Sequence, residues 1–582
     1  MAEQDPPKAE KVVPVPEGEG EKGPSKSALK KAQKEKEKAE KAAKRAAAEE
    51  AARKEREAAE ANDISKDDYG ELPSDGELPK VVVDVPFVKL DELEVTFGTE
   101  GEKLSNGGPG GAEEGGGPHV LFTAVVKNAR SQSAKLAFLV FQHGFSTIQA
   151  VIAVSDTLSR QMVKFAGGIP SQSVVVVHAL IKKPKEPVKS CTIQNLEAHI
   201  KKIYVESPAD SQLPLQVEDA EQPIPADGEE VQEEGGRPIV TLNTRLNNRV
   251  IDLRARHNFA IGRIKYGVTK LFAEFLDAKG FTGIQTPKLL GSASEGGANV
   301  FEVTYFATKA FLAQSPQLYK QMLIAARFQK VFEVGPVFRA ENSNTARHLT
   351  EFTGLDLEME FNGHYHEVVS LLEELMLFIF NGLKGRYKRE TDLVRAVYNV
   401  PEFRLPEAGK VPRLPFSEGI KMLRDAGVEV NDYDDLSTPD EKKLGALVLE
   451  KFGTDFYVLD KFPLAVRPFY TMPDMSTYGK DPNDANAGYS NSYDFFMRGQ
   501  EIMSGAQRIH KAEFLRKRMR EHVTPVDPES EGLRDYVKAF SYGCNKHAGG
   551  GLGLERIVML WLGLPNVRLA SLFPRDPQRL SP

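Results

Sequence analysis

A β-hairpin pattern in residues 335–361, GPVFRAENSNTARHLTEFTGLDLEMEF, places charged residues on one side of two short runs. Arg339 and Glu341 fall between apolar neighbours before a polar loop, and Asp356 and Glu358 do so after it. Alternation with a period of two predicts two antiparallel strands, each with one buried face and one charged face. The chain is therefore expected to contain an antiparallel sheet with this hairpin inside it.

The polar residues of this hairpin have the chemistry needed to hold a nucleotide. Arg339 offers a planar guanidinium for a phosphate, and Arg347 and His348 make the loop basic. Phe352 offers an aromatic face for a base, and the carboxylates suit an amine or a metal ion. The alternative is that the charged faces simply point into water.

The FRxE strand, variable loop and returning strand resemble motif 2 of the class II aminoacyl-tRNA synthetases. Residues 247–291, a helical pattern followed by KGFTGIQTPKLLG, resemble motif 1, which forms the dimer interface in that class. Residues 547–560, HAGGGLGLERIVML, resemble motif 3 and are interpreted as a glycine turn leading into a helix. Neither HIGH nor KMSKS occurs, so the class I architecture has no support. The resemblance implies an antiparallel sheet flanked by helices, and a homodimer with Pro287 at its interface. The alternative is that Pro287 lies in an ordinary edge strand, where proline is also tolerated.

Residues 79–207 have the pattern of a separate β-barrel domain. Five β-rich runs, with a helix-like segment at 156–165 between the third and fourth, predict an OB fold. Such barrels bind single-stranded nucleic acid by stacking bases on aromatic side chains. Phe138, Gln149 and Glu197 match the anticodon-reading positions of the aspartyl enzymes of the family, although Phe138 is equally compatible with a core position.

The predicted fold class is α+β and multidomain. A lysine-rich flexible extension at 1–78 precedes the barrel, an acidic hinge at 208–238 follows it, and a class II catalytic domain occupies 239–582. Helix formers at 25–61 indicate either a solvated helix or a basic helix that neutralises RNA phosphates, and they resemble the tRNA-binding extension of eukaryotic cytosolic members. The segment 390–473 carries no motif that we can interpret.

Composition indicates a reducing compartment. The 582 residues carry a net charge of −7 and only two cysteines, Cys191 and Cys544, which are far apart and lack metal-ligand spacing. No apolar run approaches the roughly 20 residues of a membrane span, and the N-terminus has no apolar signal core. We therefore expect a cytoplasmic protein without a membrane partner.

The resemblance implies an ATP site built from motifs 2 and 3. By this resemblance Arg339 is expected to grip the α-phosphate, Arg556 to hold the γ-phosphate, and Phe352 to stack on adenine. Glu341 is expected to hydrogen-bond the adenine edge. The remaining positions that match ATP-binding residues are Arg347, His348, Glu501 and Gly553.

The family's Mg²⁺ ligands correspond to Asp494 and Glu501. These carboxylates are seven residues apart, so only the fold can bring them to a shared site. Small residues at 292–299, SASEGGAN, suit a lid over a small ligand.

The amino-acid substrate is decided by charge. Lys320 and Arg508 match the two cations that clamp the side-chain carboxylate in aspartyl enzymes. The other positions that match aspartate-binding residues are Ser294, Glu295, Gln317, Asp356 and Ser504. The resemblance thus implies an ATP-dependent ligase that joins L-aspartate to tRNA(Asp).

Three alternatives remain. Lys320 and Arg508 could form internal ion pairs with nearby carboxylates. The enzyme could use asparagine, although asparaginyl enzymes place an acidic residue at or beside the position of Lys320. A catalytically dead RNA-binding relative is expected to have lost Arg339, Arg556 or the acidic pair, and this chain retains them all.

Overall fold

A computed structural model of the chain describes residues 50, 63–74, 85–99, 104, 118–224, 237–292, 300–407 and 410–582. The chain divides into two compact units, residues 1–211 and 212–582. The predicted helix at 25–61 apart from residue 50, the greater part of the predicted lid, and the predicted site residues Ser294 and Glu295 lie outside the described residues.

The first unit is a barrel in which five long strands close on each other. The five are β2 (His119–Ser133), β3 (Leu136–His143), β4 (Ser146–Ala153), β5 (Val174–Lys182) and β6 (Glu197–Ser207), and a short strand, β1 (Tyr69–Glu71), is added at one edge. Their order is β1-β6-β4-β3-β2-β5, and a further pairing between β5 and β6 closes the sheet. Among the described residues, helices α1 (Leu93–Phe97) and α2 (Arg160–Gly167) accompany the strands. Helix α2 lies between β4 and β5, which confirms the predicted five-stranded barrel with a helix after its third strand.

The barrel begins earlier in the chain than the sequence indicated. Strand β1 lies inside the predicted flexible extension, yet it pairs in parallel with β6, with Tyr69 opposite Ile203. Tyr69 packs against the barrel core, and its hydroxyl donates to Asp63 Oδ2 at 2.6 Å. A three-residue strand carries too little periodicity to be recognised among charged neighbours.

The second unit is built on an eight-stranded, largely antiparallel sheet. Its strands run in the order β13-β14-β15-β16-β17-β12-β11-β7. Three further strands form a separate small sheet in the order β8-β10-β9. The strands are β7 (Thr282–Gly283), β8 (Leu289–Leu290), β9 (Glu302–Tyr305), β10 (Thr308–Leu312), β11 (Lys330–Phe338), β12 (Glu351–Glu360), β13 (Arg413–Pro415), β14 (Phe456–Asp460), β15 (Ser492–Met497), β16 (Gln500–Gln507) and β17 (His547–Gly553). The sheet confirms the predicted architecture for this half of the chain.

Helices pack around this sheet. They are α3 (Val217–Ala220), α4 (Leu242–Asn247), α5 (Arg249–Asp252), α6 (Arg256–Ala278), α7 (Gln317–Ala325), α8 (His366–Arg386), α9 (Lys388–Tyr398), α10 (Phe416–Asp425), α11 (Thr438–Phe452), α12 (Ala512–Glu521), α13 (Arg534–Ser541) and α14 (Leu554–Leu562). Among the described helices, none is long and apolar enough to cross a membrane.

The central hairpin forms as predicted, but its charged face is not solvated. Strands β11 and β12 pair antiparallel, with Phe338 opposite Glu351. The first strand ends at Phe338, so Arg339 and Glu341 belong to the loop. Residues 354–359 of β12 are all buried, because β17 flanks the strand and α7 and α14 pack against it. The prediction of one exposed face per strand is therefore wrong for β12.

The glycine-rich segment predicted as a turn is a strand. Residues His547–Gly553 form β17, which pairs with β12 on one edge and β16 on the other. A Cβ at Gly549 would lie 2.1 Å from the carbonyl oxygen of Leu357. Glycine is needed here so that the backbones can approach closely, and the absence of side chains also removes the alternation that would have identified a strand.

Candidate active site

A cavity of about 260 Å³ opens over the main sheet of the second unit. Motif 2, the β15–β16 hairpin and the end of β17 all contribute to its wall. The predicted site residues that line it are Gln317, Arg339, Glu341, Arg347, His348, Phe352, Asp356, Glu501, Ser504, Arg508, Gly553 and Arg556. The fold therefore brings together residues that are up to 239 positions apart in the sequence, from 317 to 556.

At one end of the cavity a guanidinium lies over an aromatic ring. The Cζ of Arg339 is 5.5 Å from the centre of the Phe352 ring. Among the described residues, the Arg339 guanidinium makes no hydrogen bond or ion pair with a protein group. An unpaired guanidinium beside an aromatic face fits a phosphate and a base.

The neighbouring cations are held by the protein itself. Arg556 donates to the carbonyl oxygens of Glu501 at 3.0 Å and of Arg347 at 3.3 Å. The side chain of Arg347 in turn donates to Glu441 at 3.1 Å. Burial, together with the charge of Arg556, lowers the pKa of His348, so this ring is neutral at pH 7. The loop therefore presents fixed positive charge from its arginines.

Two carboxylates meet where β15 pairs with β16. Asp494 is buried opposite Ser504, and its Oδ2 accepts a 2.6 Å hydrogen bond from Arg467. Burial raises the pKa of Asp494 to about 7; Arg467 opposes the rise and Glu501 adds to it. Asp494 Oδ1 is buried without a hydrogen-bond partner among the described residues.

A divalent metal ion fits this pair chemically. Carboxylate oxygens are the preferred ligands of Mg²⁺, and a buried oxygen without a partner is a position that an ion can satisfy. Among the described residues no group of three or more His, Cys, Asp and Glu side chains converges on one point. The protein would thus supply two carboxylates, with the remaining ligands coming from water and substrate phosphates.

The other end of the cavity carries a buried charge network. Arg508 donates through Nε and Nη2 to the two oxygens of Glu358, at 3.1 and 3.4 Å. Lys320 lies beneath the cavity wall and donates to Asp356 Oδ1 at 2.9 Å. It also reaches the carbonyl oxygens of Leu357 and Gly550, at 3.3 and 3.4 Å. The ion pairs considered from the sequence are therefore present, while Arg508 also faces the cavity.

The network keeps Glu358 ionised. Burial favours the neutral form of Glu358, but Arg508 and Lys320 outweigh it and hold the pKa below its ordinary value. Gln317 is buried at the start of α7, and its Nε2 has no hydrogen-bond partner within the described part of the chain. An unsatisfied donor at the cavity wall fits a polar ligand.

Sequence reasoning missed three residues of this site. Glu358 was recognised only as part of an alternating strand, although it anchors Arg508. Glu441 and Arg467 come from the segment 390–473, in which no motif was interpretable. Arg467 lines the cavity and donates 2.8 Å to Ser504 Oγ. Nothing in the local sequence identifies these two, because their roles depend on contacts with distant segments.

The outer surface of the barrel carries a second group of predicted residues. Phe138 is half-buried and lies outside the barrel core, opposite Val151 on β4. Gln149 lies two residues earlier on β4, hence on the same face, and its Nε2 donates to Glu197 Oε1 at 2.7 Å. Burial opposes ionisation of Glu197, but hydrogen bonds from His199 and Gln149 lower its pKa. The three predicted side chains share one face.

Comparisons with known proteins agree with this architecture. The family model of class II tRNA synthetases (D, K and N) matches residues 241–577. The cytoplasmic aspartate–tRNA ligase of Homo sapiens is 52% identical over 463 residues, covering 80% of this chain and 88% of that protein. That of Caenorhabditis elegans is 46% identical over 526 residues, covering 90% and 92%.

A solved structure shows the same fold. The aspartyl-tRNA synthetase of Entamoeba histolytica superposes with a TM-score of 0.74 and 41% sequence identity, covering 88% of this chain and 96% of that one. With the family model and the two relatives, this similarity shows that the chain belongs to the class II tRNA synthetases of the D, K and N group, within the family of the cytoplasmic aspartate–tRNA ligases.

Proposed function

We propose that the chain is an aspartate–tRNA ligase that works in the cytoplasm, as the names of its relatives state. The single observation that carries the proposal is the cavity with an unpaired Arg339 beside Phe352 at one end and the Arg508–Glu358 pair at the other. One end suits ATP and the other suits a small acid, so the two substrates meet above the sheet.

The reaction proceeds in two steps. A carboxylate oxygen of aspartate attacks the α-phosphorus of ATP, the bond to the β-phosphate oxygen breaks, and pyrophosphate leaves. A hydroxyl of the terminal tRNA ribose then attacks the carbonyl carbon of the aspartyl-adenylate, AMP leaves, and the hydroxyl proton is released. The family uses ATP. Positioning and electrostatic stabilisation supply the catalysis, with Arg339 neutralising charge that develops on the α-phosphate.

We place Mg²⁺ at Asp494 and Glu501. The unpartnered Oδ1 of Asp494 supports this assignment. When bound, the ion neutralises phosphate charge. Arg467 holds the other oxygen of Asp494 and also donates to Ser504 Oγ in the neighbouring wall.

The charge network favours aspartate over asparagine. Arg508 uses Nε and Nη2 on Glu358 and has no described partner at Nη1, so a substrate carboxylate can complete its coordination. An amide would bring an N–H₂ group towards this cation. Sites built on buried polar groups reject an analogue that leaves them unpaired by roughly 10⁴- to 10⁵-fold.

ATP–pyrophosphate exchange with Mg²⁺ and without tRNA tests the function. Aspartate, asparagine and lysine are compared as the only amino acid, and we expect exchange with aspartate alone. Exchange with asparagine would overturn the assignment of the charge network while keeping the reaction class. No exchange with any of them would favour a catalytically inactive RNA-binding protein.

We also propose that the barrel reads the tRNA anticodon through Phe138, Gln149 and Glu197. A half-buried aromatic ring on the outer face is available for a base, and the hydrogen-bonded Gln149–Glu197 pair presents fixed polar atoms beside it. An aromatic platform flanked by polar groups is the usual arrangement for binding single-stranded nucleic acid.

Replacing Phe138 with alanine is expected to weaken binding of tRNA(Asp) by roughly 5- to 150-fold, because a stacked base contributes about 1–3 kcal/mol. Exchange without tRNA should not change, since it takes place on the second unit. Filter binding with purified tRNA measures the first quantity. Phe87→Ala, another exposed aromatic of the first unit, is the matched control. Equal tRNA affinity in both variants would contradict the stacking role.

We propose a homodimer in which Pro287 lies at the interface. Pro287 is exposed in the isolated chain and lies next to Leu289, which is 50% exposed. On α6 the side chains of Phe259 and Tyr266, two turns apart, are 46% and 56% exposed, and Val250 on α5 is 65% exposed. Exposed large apolar side chains two turns apart on one helix indicate a protein interface.

Sedimentation at micromolar concentration is expected to give twice the mass of one chain. Tyr266→Glu should shift the equilibrium towards the monomer, because a buried charge without a partner destabilises an interface. Tyr542→Glu changes a more exposed tyrosine away from α6 and should leave the dimer intact. A wild-type chain that sediments as a monomer would contradict the assignment.

A further inference from the structure

Helix α11 lies in the segment that carried no interpretable motif, yet its first turn reaches the active site. Glu441 is 7% exposed, and its Oε2 accepts the 3.1 Å hydrogen bond from Arg347 Nη1. Arg347 belongs to the motif 2 loop and lines the cavity. The segment 390–473 therefore contacts a predicted ATP-binding residue.

The start of α11 is held rigidly in place. The side chain of Ser437 caps the helix by accepting a hydrogen bond from the backbone N–H of Asp440. The carbonyl oxygen of Ser437 accepts a hydrogen bond from the backbone N–H of Glu441. A Cβ added at Gly445 would lie 2.3 Å from the Cα of Gly499. Gly499 has a φ of +67°, and it forms the turn that leads into β16 and Glu501. The helix is thus pressed against the hairpin that carries the metal-binding carboxylates.

Electrostatics also link Glu441 to the site. Burial and the nearby Glu501 carboxylate raise the pKa of Glu441 to about 7, and the guanidinium groups of Arg347 and Arg556 oppose this rise. Arg347 donates to Glu441 through only one nitrogen, and its Nε and Nη2 have no hydrogen-bond partner among the described residues. Arg347 lines the cavity where the phosphates of ATP are proposed to bind, so these two nitrogens are available to donate to a phosphate.

We propose that Glu441 is a positioning residue for ATP: it holds Arg347 by Nη1, so that the guanidinium is ordered towards the triphosphate before ATP arrives. The proposal rests on the proposed function, since it concerns the ATP site of that reaction. An arginine side chain loses much conformational freedom when it is immobilised, and an ion pair formed in the free enzyme removes this loss from the binding step. The competing possibility is that Glu441 withdraws Arg347 from ATP and inhibits binding.

Exchange kinetics of Glu441→Gln distinguish the two possibilities. The variant keeps the shape of the side chain and removes its charge. We expect the KM for ATP to rise about tenfold, the size expected for loss of a hydrogen bond between charged groups. The KM for aspartate and kcat should stay within about twofold, because the rest of the site is unchanged. Glu450→Gln, an exposed carboxylate on the same helix, is the control and should behave like the wild type.

A double variant gives the second readout. If Glu441 acts through Arg347, then Glu441→Gln combined with Arg347→Gln should be no worse than Arg347→Gln alone. Additive losses, an unchanged KM for ATP, or a lower one would each overturn the proposal, the last in favour of inhibition. If Glu441→Gln does not fold, as judged by its thermal transition, Glu441→Asp gives the test instead, since it keeps the charge but is too short to hold Arg347 Nη1 and should raise the KM for ATP alone. A wild-type chain without exchange activity would instead contradict the proposed function itself.

Discussion

Replacing Arg339 with glutamine is expected to lower kcat for aspartate-dependent ATP–pyrophosphate exchange by about 10²- to 10³-fold, the usual cost of removing one donor to transition-state charge. The guanidinium lines the cavity, lies over Phe352, and makes no hydrogen bond or ion pair with the described residues. Its charge is therefore not committed to the protein. It is available to the α-phosphate, where negative charge increases as the aspartate oxygen attacks.

The same reasoning predicts little effect on folding. Arg339 is exposed and pairs with no described carboxylate, so its removal leaves no buried charge unpaired. Arg520→Gln, an exposed arginine on α12, is the matched control and should retain wild-type exchange. Steady-state exchange at saturating ATP and aspartate measures kcat. A variant within fivefold of the wild type would contradict the role at the α-phosphate.

Periodicity predicted the parts of the fold that depend on local sequence. The five barrel strands and the central hairpin alternate with a period of two. It failed at β17, where glycines replace the alternating side chains, and at β12, where both faces are covered. Burial of Asp356 and Glu358 depends on Lys320 and Arg508, which come from distant segments.

The site was predictable only as far as its motifs extend. The resemblance to the family identified Arg339, Phe352 and Arg556 as site residues, and the fold brings them to one cavity. Glu441 and Arg467 belong to no motif. Glu441 reaches the site because α11 packs beside it, and Arg467 does so because it donates to Asp494 of the β15–β16 hairpin. Lys320 matches the family pattern, yet it lies beneath the wall with its donors on Asp356 and two carbonyl oxygens. Spacing along the chain cannot distinguish such a support from a direct ligand.

We expect recognition of aspartate to depend most on Arg508, and Arg508→Lys is expected to reduce kcat/KM for aspartate by about 10²- to 10³-fold, the cost of disturbing a buried, hydrogen-bonded charge pair. Lysine keeps the positive charge but cannot bond both oxygens of Glu358 and a substrate carboxylate at once. The KM for ATP should change little, because Arg508 lies at the opposite end of the cavity from Arg339. Exchange at varied aspartate and at varied ATP separates the two effects, with Arg534→Lys as a surface control.

The variant also distinguishes the two roles considered for Arg508. If the arginine only closes an internal ion pair with Glu358, the substitution should lower the thermal transition while leaving the KM for aspartate unchanged. If it holds the substrate carboxylate, the KM for aspartate should rise even in a variant that unfolds at the wild-type temperature. Asparagine should remain a poor substrate in either case, because lysine retains a cation that an amide N–H₂ cannot satisfy. Wild-type use of aspartate by a folded Arg508→Lys variant would therefore show that the buried network serves the fold and that recognition of aspartate resides elsewhere in the cavity.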